Sequence, residues 1–256
     1  MQDLRVSLVQ TNQAWENKQE NLAKYERLLE HIDSDLIVLP EMFHTGFSLN
    51  AKALAEQYND SPGINWLKQM AQEKNAAIYT SLIIEEDNKF FNRGVFVYPN
   101  QTVIHYDKRK SFSLAGENKL FQAGTKETIV SYNGWKIQLQ ICYDLRFPEL
   151  VRNRIGHDNK PAYDVIVYVA NWPEKRSNHW ITLLKARAIE NQCYVVGVNR
   201  VGEDGNSLVY SGNSIIADAL GNLITVDEKK EKVESTSLSM PALTAIRELL
   251  PFLQDQ

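Results

Sequence analysis

The stretch KIQLQICYDLRFPE, Lys136 to Glu149, runs from an alternating apolar segment into a tight, charged turn. Side chains alternate along a strand, so Ile137, Leu139 and Ile141 fall on one face and Gln138, Gln140 and Cys142 on the other. The pattern predicts a strand that ends on Cys142, with the thiol off the apolar face. Buried cysteines are also common as small, inert hydrophobes, so position alone leaves a structural role for Cys142 open.

On either side of this strand the chain alternates strands with helices. LRVSLVQ reads as a strand, Glu16 to His31 as an amphipathic helix, and DLIVLP as a short apolar strand of the kind buried on both faces. A helix over Pro62 to Asn75 leads into the strand AAIYTSLIIEE, and FFNRGVFVYPNQTVIHYDK reads as a hairpin turning at Pro99 and Asn100. After Cys142 the pattern predicts a helix around Pro148 to Arg154, a buried strand in YDVIVYVANW and a helix over Ser177 to Gln192. CYVVGVN, SGNSIIADALGNLITV and KVESTSL supply further strands, with a turn at Gly221 and Asn222, and a helix through Leu243 to Leu249 precedes the tail. No repeat, low-complexity segment or linker divides the chain. The expectation is one α/β domain over residues 1–256.

Composition bounds the function. With 43% hydrophobic and 23% charged residues in 256, the chain can bury a large core. A net charge of −4 offers no basic field for nucleic acid, and the cluster DKRK is balanced by nearby acids. MQDLRVSLVQTNQAW has no charged region leading into an apolar one, and no run of about eighteen apolar residues occurs, which predicts a cytoplasmic protein with no membrane partner. Two cysteines, Cys142 and Cys193, outside any Cys-x-x-Cys pair, argue against a disulfide framework or a zinc site. No metal and no cofactor is implied, because ligand spacings and phosphate-binding glycine motifs are both missing.

Several polar residues fall just past strand ends: Glu41 after LIVLP, Lys108 after TVIHYD, Cys142 after IQLQI, and Asn171 with Trp172 after VIVYVA. Ligands of open α/β sheets sit outside the carboxyl ends of strands, so these segments can converge on one pocket. Phe43, Tyr143 and Trp172 are candidate walls, with core packing as the alternative. A Cys-His pair is the rival arrangement, with His44, His105 and His179 as candidates, although none lies in a recognisable motif. Singly, Glu41, Lys108 and Glu117 read as solvated charges.

Taken together and in order, LPEMF, YDKRKSF and ICYDLRFPEL resemble the Glu, Lys and Cys motifs of the nitrilase superfamily of carbon-nitrogen hydrolases. The likeness spans nearly the whole chain. The block from VANWPEKRSNHW through ARAIENQ most resembles bacterial omega-amidases, which hydrolyse the terminal amide of 2-oxoglutaramate and 2-oxosuccinamate. The resemblance implies a four-layer αββα sandwich and a homodimer associating through RFPELVRNRIG. Glu41 matches the general base, Lys108 the oxyanion-stabilising lysine, Cys142 the nucleophile and Glu117 a supporting glutamate. Attack by the thiol creates an oxyanion that wants preorganised donors, and the backbone N–H of Tyr143, the residue after the nucleophile, is placed to be a second one beside Lys108. Where many members have a histidine two residues after the lysine, this chain has Lys110, which puts that supporting contact in question. Cys193 is left structural.

The chemistry asks for the same residue types. A thiol with a pKa of about 8.5 is mostly protonated at neutral pH and needs a base or a cation beside it. The expected function is hydrolysis of a small 2-oxo acid amide through a thioester, with Phe43, Trp172, Arg146 and Arg176 as substrate-binding candidates. Other small amides, nitriles or N-carbamoyl groups are alternatives, as is an inactive scaffold relative.

Overall fold

Leu36 and Val38 point to one side of a three-residue strand and Ile37 to the other, and both sides are buried in separate apolar clusters. A strand covered on both faces must sit in a sheet with a layer above and a layer below. The structure, a computed structural model, describes residues 3–156 and 159–255.

The first half of the chain runs β1 (Leu4–Gln10), α1 (Lys18–Leu29), β2 (Leu36–Val38), α2 (Ala51–Leu54), β3 (Glu56–Gln57), α3 (Pro62–Lys74), β4 (Ala77–Glu86), β5 (Lys89–Val97) and β6 (Val103–Asp107). The second half runs β7 (Ile129–Tyr132), β8 (Trp135–Ile141), β9 (Val165–Ala170), α4 (Ser177–Asn191), β10 (Tyr194–Asn199), β11 (Val201–Glu203), β12 (Val209–Ala217), β13 (Leu223–Glu228), β14 (Lys232–Leu238) and α5 (Met240–Leu249). One sheet has the order β14-β1-β2-β4-β5-β6 with β3 on β4, and the other β11-β12-β10-β9-β8-β7 with β13 on β12. Within them, β1, β2 and β4 are parallel, as are β8, β9 and β10. Antiparallel strands complete the edges.

The larger core lies between the sheets. Leu4, Val6, Leu8, Tyr79 and Phe96 of one meet Ile137, Leu139, Val167 and Val169 of the other, and Trp180 and Leu184 of α4 extend the cluster outward. A second cluster packs Tyr25 and Leu29 of α1 and Ile64, Leu67 and Met70 of α3 on the opposite face of the first sheet. The layers are therefore helix, sheet, sheet, helix. The helix starts follow from local chemistry: Asn17 accepts from the Glu20 N–H, and Ser61, followed by Pro62, accepts from the Ile64 N–H.

Gln138 and Gln140, on the face of β8 away from Ile137 and Leu139, are fully buried as well, and Tyr79 of the facing sheet donates to the Gln140 carbonyl at 3.0 Å. Two sequence expectations need correction here. Cys142 is not the last strand residue but the first of a 3-10 turn, Cys142–Arg146. Nor is there a helix over Pro148 to Arg154, only a 3-10 turn at Pro148–Leu150. Asn153 leaves helical pairing for the end of α4: its N–H donates to Asn191 Oδ1 at 2.8 Å and its side-chain amide to the Asn191 carbonyl at 2.9 Å. The helix expected to face a partner subunit is thus not formed.

Candidate active site

Four strand ends meet at one place. Glu41 follows β2, Lys108 follows β6, Cys142 follows β8 and Asn171 follows β9. Two of these junctions turn through left-handed backbone: Cys142 has φ +43° and Met42, next to Glu41, has φ +46°. Such angles are disfavoured for residues with a Cβ and persist where the surroundings enforce them. At Met42 the enforcement is visible, since its N–H donates to Ser81 Oγ at 2.9 Å and Gln13 Nε2 donates to the Glu41 and Met42 carbonyls at 3.0 and 3.1 Å.

Lys108 sits between two buried carboxylates. Its Nζ is 2.9 Å from Glu41 Oε1 and 2.9 and 3.0 Å from the two Glu117 oxygens. Burial alone would lower the lysine pKa, but Glu117 and then Glu41 outweigh it and hold the ammonium firmly protonated. Glu41 also accepts from Asn92 Nδ2 at 2.7 Å and from the Asn171 N–H at 2.9 Å, so its carboxylate is fixed from three directions. Glu117 accepts from the Phe112 N–H as well, which ties the lysine to the loop at the pocket edge.

Cys142 is 9% exposed, its Sγ 3.9 Å from the Asn171 carbonyl. Burial pushes the thiol pKa well up, the Glu41 carboxylate pushes it further, and Lys108 opposes both. The resting thiol is therefore protonated beside a carboxylate able to receive its proton. Cys193 is also buried, with Sγ 4.0 Å from the Arg187 carbonyl of α4, and belongs to the larger core cluster.

The thiol opens onto a cavity of about 70 Å³ whose lining includes Lys108, Phe112, Tyr143, Arg146, Trp172 and Arg176. At roughly 10–15 Å³ per water on this measure, the space suits a small molecule rather than a polymer. Arg146 lies over the Trp172 ring at 4.6 Å and Arg176 over Phe112 at 5.4 Å, and the Trp172 indole N–H donates to the Arg176 carbonyl at 2.8 Å. Among the described residues neither arginine forms an ion pair with a carboxylate, and burial, then the nearby Arg176 charge, lower the Arg146 pKa.

Phe43 does not line this cavity. It is fully buried in the helix-facing core, 5.5 Å from Tyr25 and 5.7 Å from Trp66, and Phe47 takes the wall instead. His44 is not in the pocket either: it stacks on Phe43 and pairs with Glu56 Oε1 at 2.8 Å. His105 contacts Tyr58, and His179 contacts Arg146 at the exposed edge. The Lys110 side chain points outward over Phe147 at 4.6 Å, while its backbone N–H donates inward to Asp144. Sequence reasoning missed Asn92, Asp144, Phe112 and Tyr210. Asn92 gave a signal as a polar residue inside an apolar strand, and Asp144 and Phe112 lie within the quoted motifs ICYDLRFPEL and YDKRKSF. Among the described residues no cluster of three His, Cys, Asp or Glu side chains suits a metal ion, and no helix is long and apolar enough to cross a membrane.

The carbon-nitrogen hydrolase family profile matches residues 5–248, and the chain belongs to that family. An omega-amidase from Yersinia enterocolitica is 42% identical across 100% of this chain and 97% of its own length. A 2-oxoglutaramate amidase from Bacillus subtilis is 30% identical, over 98% of this chain and 96% of that protein. A CN-hydrolase superfamily protein from Xanthomonas campestris, solved with an arsenic adduct in its active site, superposes with a TM-score of 0.98 at 40% identity, covering 100% of this chain and 98% of the other. The four-layer sandwich implied by the sequence motifs is the fold found.

Proposed function

We propose that this chain is an omega-amidase that cleaves the terminal amide of a small 2-oxo dicarboxylic acid monoamide, 2-oxoglutaramate or 2-oxosuccinamate. The observation that carries the reading is the buried Cys142 thiol, opening with Lys108 of the Glu41–Lys108–Glu117 network onto a small cavity lined by two guanidinium groups that meet no carboxylate among the described residues. The named relatives support the same substrate class.

Glu41 takes the thiol proton as Sγ attacks the amide carbonyl carbon. The carbonyl oxygen becomes an oxyanion held by the Lys108 ammonium and the Tyr143 backbone N–H, a contribution of about 10² to 10³ in rate for each such donor. Glu41 then returns the proton to the amide nitrogen, the C–N bond breaks and ammonia leaves a Cys142 thioester. A water that gives its proton to Glu41 attacks the thioester carbonyl, and the departing thiolate recovers that proton, releasing the acid and the free thiol. Arg146 and Arg176 hold the substrate carboxylate, for which planar guanidinium forks are suited. Trp172 fixes the wall against which the chain of the substrate lies.

The α-ammonium of glutamine is the wrong group beside two arginines and a lysine. Ammonia release should therefore show kcat/KM for 2-oxoglutaramate at least tenfold above that for glutamine; the reverse preference contradicts the assignment. The proposed compartment is the cytoplasm, where two free thiols persist. A homodimer is the proposed state, supported by the exposed apolar Ile189, Leu220 and Leu223, and light scattering should give about twice the 29.3 kDa chain mass.

A further inference from the structure

The turn that carries Cys142 is closed by a carboxylate two residues on. Asp144 is fully buried, and its carboxylate accepts three hydrogen bonds from two segments of the chain. Its Oδ2 takes the Ile141 N–H at 3.1 Å and the Tyr106 hydroxyl at 2.8 Å, and its Oδ1 takes the Lys110 N–H at 2.8 Å. Ile141 immediately precedes Cys142, and Tyr106 and Lys110 flank Lys108. One side chain therefore ties the segment bearing the thiol to the segment bearing the lysine, across the interface between the two sheets.

Burial pushes the Asp144 carboxyl up to about 6, with Lys108, the Tyr106 hydroxyl and the two backbone N–H groups pulling it back. It is ionised at neutral pH, the state in which all its oxygens accept. A buried carboxylate is costly to keep, and this one is placed where an acceptor with more than one oxygen is needed. The surroundings leave little slack: Arg187 Nη2 donates to the Leu145 carbonyl at 2.6 Å and Arg109 Nη2 to the Leu150 carbonyl at 2.6 Å, fixing the chain just beyond.

We propose that Asp144 is the positioning residue of this site: it holds Cys142 in its left-handed conformation and sets the thiol at working distance from Lys108 and Glu41. It touches no reacting atom and acts through the Ile141 and Lys110 backbones and the Tyr106 hydroxyl. The Lys110 contact comes from the backbone, which any residue but proline provides, so the departure from histidine at this position leaves the tie intact. The assignment rests on the amidase reading for its kinetic arm and stands apart from it for its chemical arm.

Asp144→Asn keeps the shape but offers one carbonyl oxygen in place of two acceptors, so at least one donor is turned away. At matched near-ultraviolet circular dichroism, kcat per alkylatable Cys142 should fall by about 10² or more with KM changed less than about threefold. The second-order rate of Cys142 alkylation by iodoacetamide at pH 7, which needs no substrate, should fall by about tenfold as the thiol leaves its position beside Glu41 and Lys108. Tyr106→Phe removes one donor and leaves the carboxylate, and should lower kcat by about threefold or more at unchanged KM. It provides the test where the asparagine variant does not fold. A kcat per reactive thiol within about twofold of wild type in a folded Asp144→Asn or Tyr106→Phe protein overturns the assignment, as does unchanged alkylation in Asp144→Asn. A wild-type protein inactive on every amide would sink the amidase reading, and the alkylation comparison would then decide Asp144 alone.

Discussion

Lys108 Nζ lies 2.9 Å from Glu41 Oε1, and neither side chain is open to solvent. With Glu117 on the far side of the same ammonium, the cluster holds two carboxylates and one cation, a net charge of −1. Burial, and then the Glu41 carboxylate, keep the thiol pKa up against the opposing pull of the lysine.

Lys108→Gln removes the cation but keeps a donor of similar length. It should lower kcat by about 10² or more, as loss of an oxyanion partner does, while Lys110→Gln should cost far less because that side chain points away from the thiol. Steady-state ammonia release measures both, and equal losses would show that the inward and outward lysines have been misassigned.

Arg146→Met and Arg176→Met should act on KM rather than kcat. A charge-assisted hydrogen bond to a carboxylate is worth about 1.5–3 kcal/mol, which predicts a KM increase of about tenfold or more for 2-oxoglutaramate. An uncharged amide of similar length should show little change in either variant. Loss of activity on both substrates alike would place the arginines in the fold rather than in recognition.

Glu56 carries a pH signature of stability. Burial would raise its pKa, but the His44 ring, Lys18 and the Ser61 hydroxyl outweigh this and hold it below its ordinary value. A depressed carboxyl contributes its stabilisation above the unfolded value and loses it as pH falls through the folded one. Glu56→Gln should therefore cost about 2 kcal/mol near pH 7, roughly 4–8 °C in Tm for a chain of this size. The gap between the two proteins should shrink as pH drops below about 4.5. Thermal unfolding followed by circular dichroism checks this, and a gap that widens in acid would contradict the pairing.

Much of the fold was legible in the sequence because its strands are apolar runs bounded by turn residues and its helices carry caps. β1 was read to the residue, and Asn75 and Gln192 were read as the last residues of helices whose C-caps they form in left-handed conformation. Glu41, Lys108, Cys142 and Glu117 were legible through their motifs, and the structure brings them together. Of the aromatic walls, Tyr143 and Trp172 were legible and line the cavity, whereas Phe43 was not. The left-handed turns at Met42, φ +46°, and Gly46, φ +73°, send Phe43 into the helix layer and deliver Phe47 to the cavity, and local periodicity carries no record of them. The segment after Pro148 failed for a related reason: Asn153 is claimed by a residue of α4 far along the chain, which overrides local helix preference.

The central claim is that Cys142 is the thiol that forms the acyl intermediate, and ammonia release from 2-oxoglutaramate by the two single cysteine variants tests it most directly. Cys142→Ala, folded by circular dichroism, should release no ammonia above background, whereas Cys193→Ala, which trims a side chain of the larger core cluster, should keep most of the wild-type kcat. Substantial turnover by Cys142→Ala would contradict the thioester route.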